Sequence, residues 1–333
     1  MRANRQQTAS GQLVRRLNAG LMLLVFTLPS LLAAPAVAAD RTWTGLGETS
    51  HWSEPANWSD NAVPGPTDRA IFNATSTKDA VINSDFSIQA MTVEAGYTGS
   101  ITQGTSALTL VNGVYSQAGG HFIGGSGPIS FSSTFMLSGG TFTASSGTTS
   151  FGSSFNQTGG TWDANGGTAA FVSGFDFNIS ASVPGIIEFN DVIVNLGNNL
   201  TRMQPSSGTT ARVNGTLTFI SGQLSSSGVL EARGEVVIPA THTSIEGGFL
   251  RFAGDAARTI TIPSGAQLSN LEINAPNTTV TTSGTGLVTL GSVQLINAAQ
   301  FTNAAADLEV RPGRSWVQSG GSFNAGSGQL DFR

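Results

Sequence analysis

The sequence predicts an all-β fold, a single-stranded parallel β-helix (β-solenoid) with coils of about 20 residues and a Trp-rich cap at its N-terminal end. Three observations predict it: a phrase that recurs at a fixed interval, apolar residues that alternate with polar ones in short runs, and a long stretch almost free of charge.

The phrase is clearest in "FMLSGGTFTASSGTTSF" (135–151) and "FNQTGGTWDANGGTAAF" (155–171). Aligned on Gly119-Gly120, Gly139-Gly140 and Gly159-Gly160, the step is 20 residues. Phe122, Phe142 and Trp162 follow each pair, Phe131, Phe151 and Phe171 come nine residues later, and Tyr115, Phe135 and Phe155 precede it. The phrase returns as "WVQSGGSFNAGSGQLDF", with Trp316, Gly320, Gly321, Phe323 and Phe332 at the same internal spacing. Between the copies the text degenerates but keeps fragments such as "GTLTFISGQL" and "IEGGFLRFAG".

Short alternating runs such as "GTLTFI" and "RTITIP" have the two-residue period of strands, and no long segment carries the three-four apolar spacing of a helix. A 20-residue unit of short strands cannot bury its own apolar face, whereas stacked on copies of itself it can. Equivalent residues then lie above one another about 4.8 Å apart. Phe122, Phe142 and Trp162 are expected to form one interior column and Phe131, Phe151 and Phe171 another, with the Gly pairs at corners where a positive φ is needed. Low charge fits: a like charge on every coil would make a repulsive file, and none of Asp, Glu, Lys or Arg occurs between Glu94 and Asp163. A β-sandwich has no reason to reuse one phrase at a constant step. The expected solenoid, 71–333, has room for roughly 13 coils and a length of around 60 Å.

The two ends read differently. Residues 1–39 carry Arg2, Arg5, Arg15 and Arg16, then an apolar run ending in small residues, with Val37-Ala38-Ala39 before Asp40 as the cleavage site and Ala36-Val37-Ala38 as the alternative. This pattern is that of a bacterial secretory signal peptide, so the mature chain is expected outside the cytoplasm, secreted or at the cell surface, without a membrane span. Its removal leaves 11 basic against 20 acidic residues, a net charge of −9, with Lys78 as the one lysine. Such a balance argues against nucleic acid and anionic lipid as partners. With no cysteine, disulfides and thiolate metal sites are excluded. At the other end "SGQLDFR" stops just after the repeat's last aromatic, which leads to the expectation that further repeats or a translocator domain follow Arg333.

Residues 40–70 gather Trp43, Trp52 and Trp58 with Pro64 and Pro66. Their expected role is to cover the first coil, whose unpaired backbone groups would otherwise invite edge-to-edge association. A glycan-stacking platform made by the same three tryptophans is the functional alternative. Trp43-Thr44-Gly45, Trp52-Ser53, Ala56-Asn57-Trp58-Ser59, Val63-Pro64-Gly65 and Asp68 together resemble the head segment of large secreted bacterial β-solenoid surface proteins, the autotransporter-passenger-like repeat proteins. The resemblance implies secretion, a solenoid, and a structural or adhesive role on a host or environmental glycan or protein surface.

Catalytic and cofactor chemistry finds few candidates. Polysaccharide lyases and hydrolases need clustered acids, often with a basic residue or a calcium ion. Here Asp191, Asp255 with Arg258, and Asp307, Glu309, Arg311 and Arg314 are scattered, and one 20-residue step before Asp307 and Glu309 stand Leu287 and Thr289. His51, His121 and His242 are too far apart in the repeat for a metal triad, and His121, replacing Thr141 and Thr161 of the later units, is expected to face outward. That substitution also breaks the threonine file that an ice- or crystal-binding face would need. No catalytic, metal or cofactor residue is therefore assigned. A non-enzymatic stalk or adhesive passenger is the expected function, and a carbohydrate-binding or polysaccharide-degrading β-helix is the alternative.

Overall fold

The structure is a computed structural model, described here for residues 38–333 apart from 183–184, 226, 244–246 and 298. Residues 1–37 of the expected signal peptide (1–39) lie outside the described part. The chain from Asp40 onward coils into a parallel β-solenoid of about 12 turns, with almost no helix.

Each turn has three short sides. In the first copy of the phrase, Tyr115–Ile123 forms one strand that bends at Gly120 (φ +58°) and so supplies sides one and two, and Ile129–Phe131 forms side three. Phe135–Thr143 with Thr148–Phe151 repeats this one turn on, and Phe155–Gln157, Thr161–Asp163 and Thr168–Phe171 repeat it again. Every ladder between these turns is parallel, with Phe135 paired to Tyr115 and Phe155, Phe142 to Phe122 and Trp162, and Phe151 to Phe131 and Phe171.

Because the pairing steps equal the phrase length, like side chains meet. Phe122, Phe142 and Trp162 lie in one file with ring centroids 4.7 and 5.5 Å apart and ring planes within 6°. Phe131, Phe151 and Phe171 make a second file at 5.6 and 5.8 Å, and Tyr115, Phe135 and Phe155 a third at 5.2 and 4.9 Å. The three files touch edge to face across the interior, as between Phe135 and Phe142 at 5.0 Å. All of these rings are buried except Trp162, which is half-buried and donates its Nε1–H to the carbonyl of Glu188 at 2.9 Å.

Beyond Phe171 the aromatic files give way to aliphatic ones. On side two Ile187, Ala211, Leu230, Leu250, Leu271 and Val293 stack inward in unbroken register. The step is not constant: it runs from 19 residues, between Thr210 and Val229, to 30, between His51 and Val81. The excess is absorbed at corners, so the ladders continue while the phrase drifts. This is why its last copy is displaced by one side: Trp316 pairs with Val293 on side two, Phe323 with Phe301 on side three, and Phe332 with Val310 on side one.

The head differs from expectation in one respect. Asp40–Thr42 already pairs in parallel with Arg69–Phe72, and His51 bridges to Val81, so the ladder begins at Asp40 and not after residue 70. Trp43 and Trp52 lie over Phe72 at 5.8 and 5.6 Å, while Trp58 stands edge-on to both at 5.2 and 5.3 Å.

Gly140 shows why the pair is glycine. Its φ is +70°, and a Cβ there would lie 2.4 Å from the carbonyl oxygens of Gly119 and Gly120 on the preceding turn. At Gly104 φ is +66° but nothing stands within 4 Å. Gly140→Ala is expected to lose about 2–3 kcal/mol of stability and Gly104→Ala only about 1, since the first adds a clash to the backbone strain both share. Chemical denaturation of the two variants measures the difference.

Candidate functional site

The residues named from sequence divide into those the fold buries and those it brings together unexpectedly. Trp43, Trp52 and Trp58 are 0%, 0% and 2% exposed. Their faces are covered by one another and by Phe72, so the glycan-stacking platform is corrected: these rings present no surface to a sugar. The other head residues are structural as well. Asn57 is fully buried; its amide donates to the carbonyls of Thr49 and His51, each at 2.9 Å, and its Oδ1 accepts from Gly47 N–H at 2.9 Å. Trp58 Nε1–H donates to the Trp52 carbonyl at 2.8 Å, and the Asp68 carboxylate accepts from the backbone N–H groups of Ala39 and Gly65, both at 3.0 Å. Asn57, Trp58 and Asp68 thus have the partners that burial requires, whereas the buried indole N–H of Trp52 has no hydrogen-bond partner.

Among the scattered charges, Leu287 and Thr289 do pair with Asp307 and Glu309, so no acid precedes them on that file. One turn later an acid does follow: Glu309 pairs with Asp331, and Arg333 lies 3.4 Å from the first and 2.9 Å from the second. Arg258 is a corner clamp, donating to the carbonyls of Gly234 at 2.7 Å and Ala232 at 2.9 Å and to Thr278 Oγ1 at 3.1 Å. Asp191 caps a neighbouring corner by accepting from Thr216 N–H at 2.6 Å. Among the described residues no three His, Asp or Glu side chains stand together so as to hold a metal ion. His121 is exposed.

His242 is buried instead. It is 2% exposed, lies against Phe219 with ring centroids 5.0 Å apart, and its Nδ1 has no hydrogen-bond partner. Burial pushes its pKa down to about 4. The unfolded chain therefore binds this proton more readily than the folded one, and stability present above pH 6.5 falls as the pH drops toward 4, by at most ~3 kcal/mol. His242→Phe should remove that part of the acid sensitivity, read as a flatter denaturation midpoint between pH 6.5 and 4.

Sequence reading missed one arrangement altogether. On the outer face of side two Glu188, Arg212, Glu231, Arg251 and Glu272 occupy one file on successive turns, with alternating sign. Arg212 bonds Glu188 at 3.0 Å and Glu231 at 2.7 Å; Arg251 lies 3.6 Å from Glu231 and bonds Glu272 at 2.9 Å; Arg233 bonds Glu231 at 3.0 Å. Burial alone would raise the Glu231 carboxyl, but hydrogen bonds from Arg212 and Arg233 outweigh it and hold the group below its ordinary value. The signal was present, since these charges alternate at steps of 24, 19, 20 and 21 residues, but the uneven steps hide it from a search at a fixed period.

The solenoid also carries an open groove of about 660 Å³ at the corner between sides one and two, lined by Asn178, Gln204, Ser206, Ser225, Ser227 and Arg314 among others. Fold and surface together define the molecule as a three-sided parallel β-solenoid with a polar exterior. No protein-family model, no curated protein and no solved structure matches the chain.

Proposed function

We propose that the chain is a non-enzymatic structural and adhesive rod, exported by its N-terminal segment and displayed outside the cell or at its surface, in the manner of the autotransporter-passenger-like repeat proteins its head resembles. The observation that carries this reading is the stack of about 12 turns joined by parallel ladders on its three sides, with backbone bonds and stacked side chains holding turn to turn. Such an object resists bending and presents the same polar side chains at regular intervals, which suits a spacer or a repetitive contact surface. In this reading the Trp43–Trp52–Trp58 cluster and the chain around Asn57 close the N-terminal end, and blunt an edge that would otherwise recruit other strands. Residues 1–39 supply the export signal, and the mature chain begins at Asp40.

Deletion of the gene in its native host is the test. The deletion strain should attach less to surfaces, the complemented strain should recover, and mass spectrometry of the exported protein should find Asp40 at its N-terminus. Unchanged attachment would overturn the adhesive role, and shortening of a polysaccharide by the purified chain would overturn the non-enzymatic one.

A further inference from the structure

We propose that the corner between sides three and one, on the turns that carry Phe175 and Leu200, binds an uncharged polysaccharide, with Phe175 as the platform for one sugar ring and Arg202 as the group that orients its hydroxyls. Such a site gives the adhesive reading above its ligand class and rests on that reading for its setting, though not for its test.

On two earlier turns this corner is short and polar: Ser132, Ser133 and Thr134 join Phe131 to Phe135, and Gly152, Ser153 and Ser154 join Phe151 to Phe155. On the next two it lengthens, to 172–176 and then 196–201, while the ladders on either side hold register, Phe171 to Val194 and Phe177 to Met203. Each longer segment is fixed by its own side chains. Ser173 Oγ accepts from the Phe175 N–H at 3.0 Å, and Asn198 Oδ1 accepts from the N–H groups of Leu200 at 2.8 Å and Thr201 at 3.0 Å. Asn199 ties the second segment to later turns, accepting from Gly222 N–H at 3.3 Å and donating to the Thr241 carbonyl at 3.1 Å. What these built turns present is apolar. Phe175 is 82% and Leu200 77% exposed, the two highest values for large apolar side chains among the described residues. One exposed leucine needs no explanation, but two such side chains at one corner of successive turns, with about 4.8 Å between turns, make a platform.

Beside the platform lies a fixed polar network. Asp176, next to Phe175 in the chain, accepts from Arg202 N–H and from the Gln204 amide, each at 2.9 Å, and its carboxylate lies 3.3 Å from Arg202 Nε. The Arg202 and Asp176 side chains remain 45% and 40% exposed, so both are open to a ligand.

The combination narrows that ligand. An aromatic face suits the C–H face of a pyranose, and a held guanidinium, carboxylate and amide suit its rim of hydroxyls, which both donate and accept. Within 172–176 and 196–204 the charges are Asp176 and Arg202, which offset each other, so nothing there favours a polyanion, whether nucleic acid or polyuronate. A wholly apolar partner would leave the polar network unmatched. Even with Val172 and Ile220, 41% and 49% exposed at its margins, the apolar area is of the few hundred Å² ordinary for a monomer, short of the roughly 800 Å² per partner of a stable protein interface. Because both turns are already fixed, binding a sugar orders little of the protein.

Screening of the full chain on an array of immobilised hexasaccharides of glucose, mannose, galactose and xylose, with hexagalacturonate alongside, and calorimetric titration of the hexasaccharide retained test the proposal. A neutral hexasaccharide should bind more tightly than hexagalacturonate. Phe175→Ala should weaken that binding about tenfold, while Phe175→Trp should keep or strengthen it, since the stacking face is retained. Arg202→Gln should weaken it by a similar factor through lost charge-assisted hydrogen bonds. Leu46→Ala, at a position 76% exposed in the head, should leave it unchanged. Unchanged thermal melting of the Phe175 variants separates lost binding from lost folding. Binding of no neutral hexasaccharide, preference for hexagalacturonate, or unaltered affinity in Phe175→Ala would each overturn the proposal. So would a wild-type dimer in sedimentation that Phe175→Ala abolishes, because it would assign the platform to a second copy. A negative result leaves the attachment experiment with the deletion strain unaffected, so the two readings fail separately.

Discussion

Phe142→Ala is expected to lower stability by about 3–5 kcal/mol, as removal of a fully buried aromatic side chain from a close-packed core does. Phe142 is the middle ring of its file, between Phe122 at 4.7 Å and Trp162 at 5.5 Å, and it also meets Tyr115, Phe131 and Phe135 within 6.0 Å. Truncation therefore opens contacts toward both neighbouring turns and both other files. The surroundings cannot collapse into the space, because each neighbour is pinned by its own backbone ladder. Phe142→Leu keeps much of the volume and should lose about half as much, whereas Phe175→Ala, at a position 82% exposed, should change stability by less than about 0.5 kcal/mol. Guanidinium denaturation followed by circular dichroism ranks the three. In a solenoid the neighbouring turns share one set of contacts, so the loss can also appear as a second, earlier transition confined to the turns around Phe142. A Phe142→Ala variant as stable as Phe175→Ala would show that the files do not hold the turns together.

The architecture was legible because its cause is local and repeated. Three consecutive turns step by the same 20 residues, so a periodic aromatic in the sequence becomes a vertical contact in space, as with Phe131, Phe151 and Phe171. What could not be read was whatever depends on uneven steps. The displacement of Trp316, Phe323 and Phe332 by one side follows from the uneven length of the turns between the copies, which no fixed period reveals. The tryptophans of the head show a different limit. Composition cannot distinguish rings that cover a core from rings that offer a face; only the packing of Trp43 and Trp52 over Phe72 decides it. Arg314 and Ser206, Ser207, Ser225 and Ser227 line one groove although about 90 to 110 residues separate them, and no spacing rule links a corner to a turn several coils later.

The charged file on side two leads to the second large effect. Glu231→Ala is expected to destabilise the chain by about 2–4 kcal/mol, somewhat below the roughly 3–5 of a fully buried ion pair because the arginines keep some access to water. The side chain of Glu231 is only 6% exposed and sits among Arg212, Arg233 and Arg251; without it three guanidinium groups face one another with no anion between them. Glu231→Gln keeps the shape and some hydrogen bonding and should lose less. The pH dependence follows from the depressed carboxyl. Its ordinary value is near 4.5 and the folded value is lower, so the stabilisation is present above pH 4.5 and is lost as the pH falls through the folded value. The wild-type chain should therefore weaken steeply below that pH, more so than Glu231→Gln, whose neutral amide has nothing to protonate. Replacing Arg212, Glu231 and Arg251 together by Met, Leu and Met is the complementary experiment. If ion pairing on this file serves mainly to align one turn with the next, the apolar triple variant should match or exceed the wild-type midpoint while losing its acid sensitivity, since desolvation of three charges is removed along with their attraction. A triple variant as unstable as Glu231→Ala would instead make the alternating charges themselves a net source of cohesion between turns.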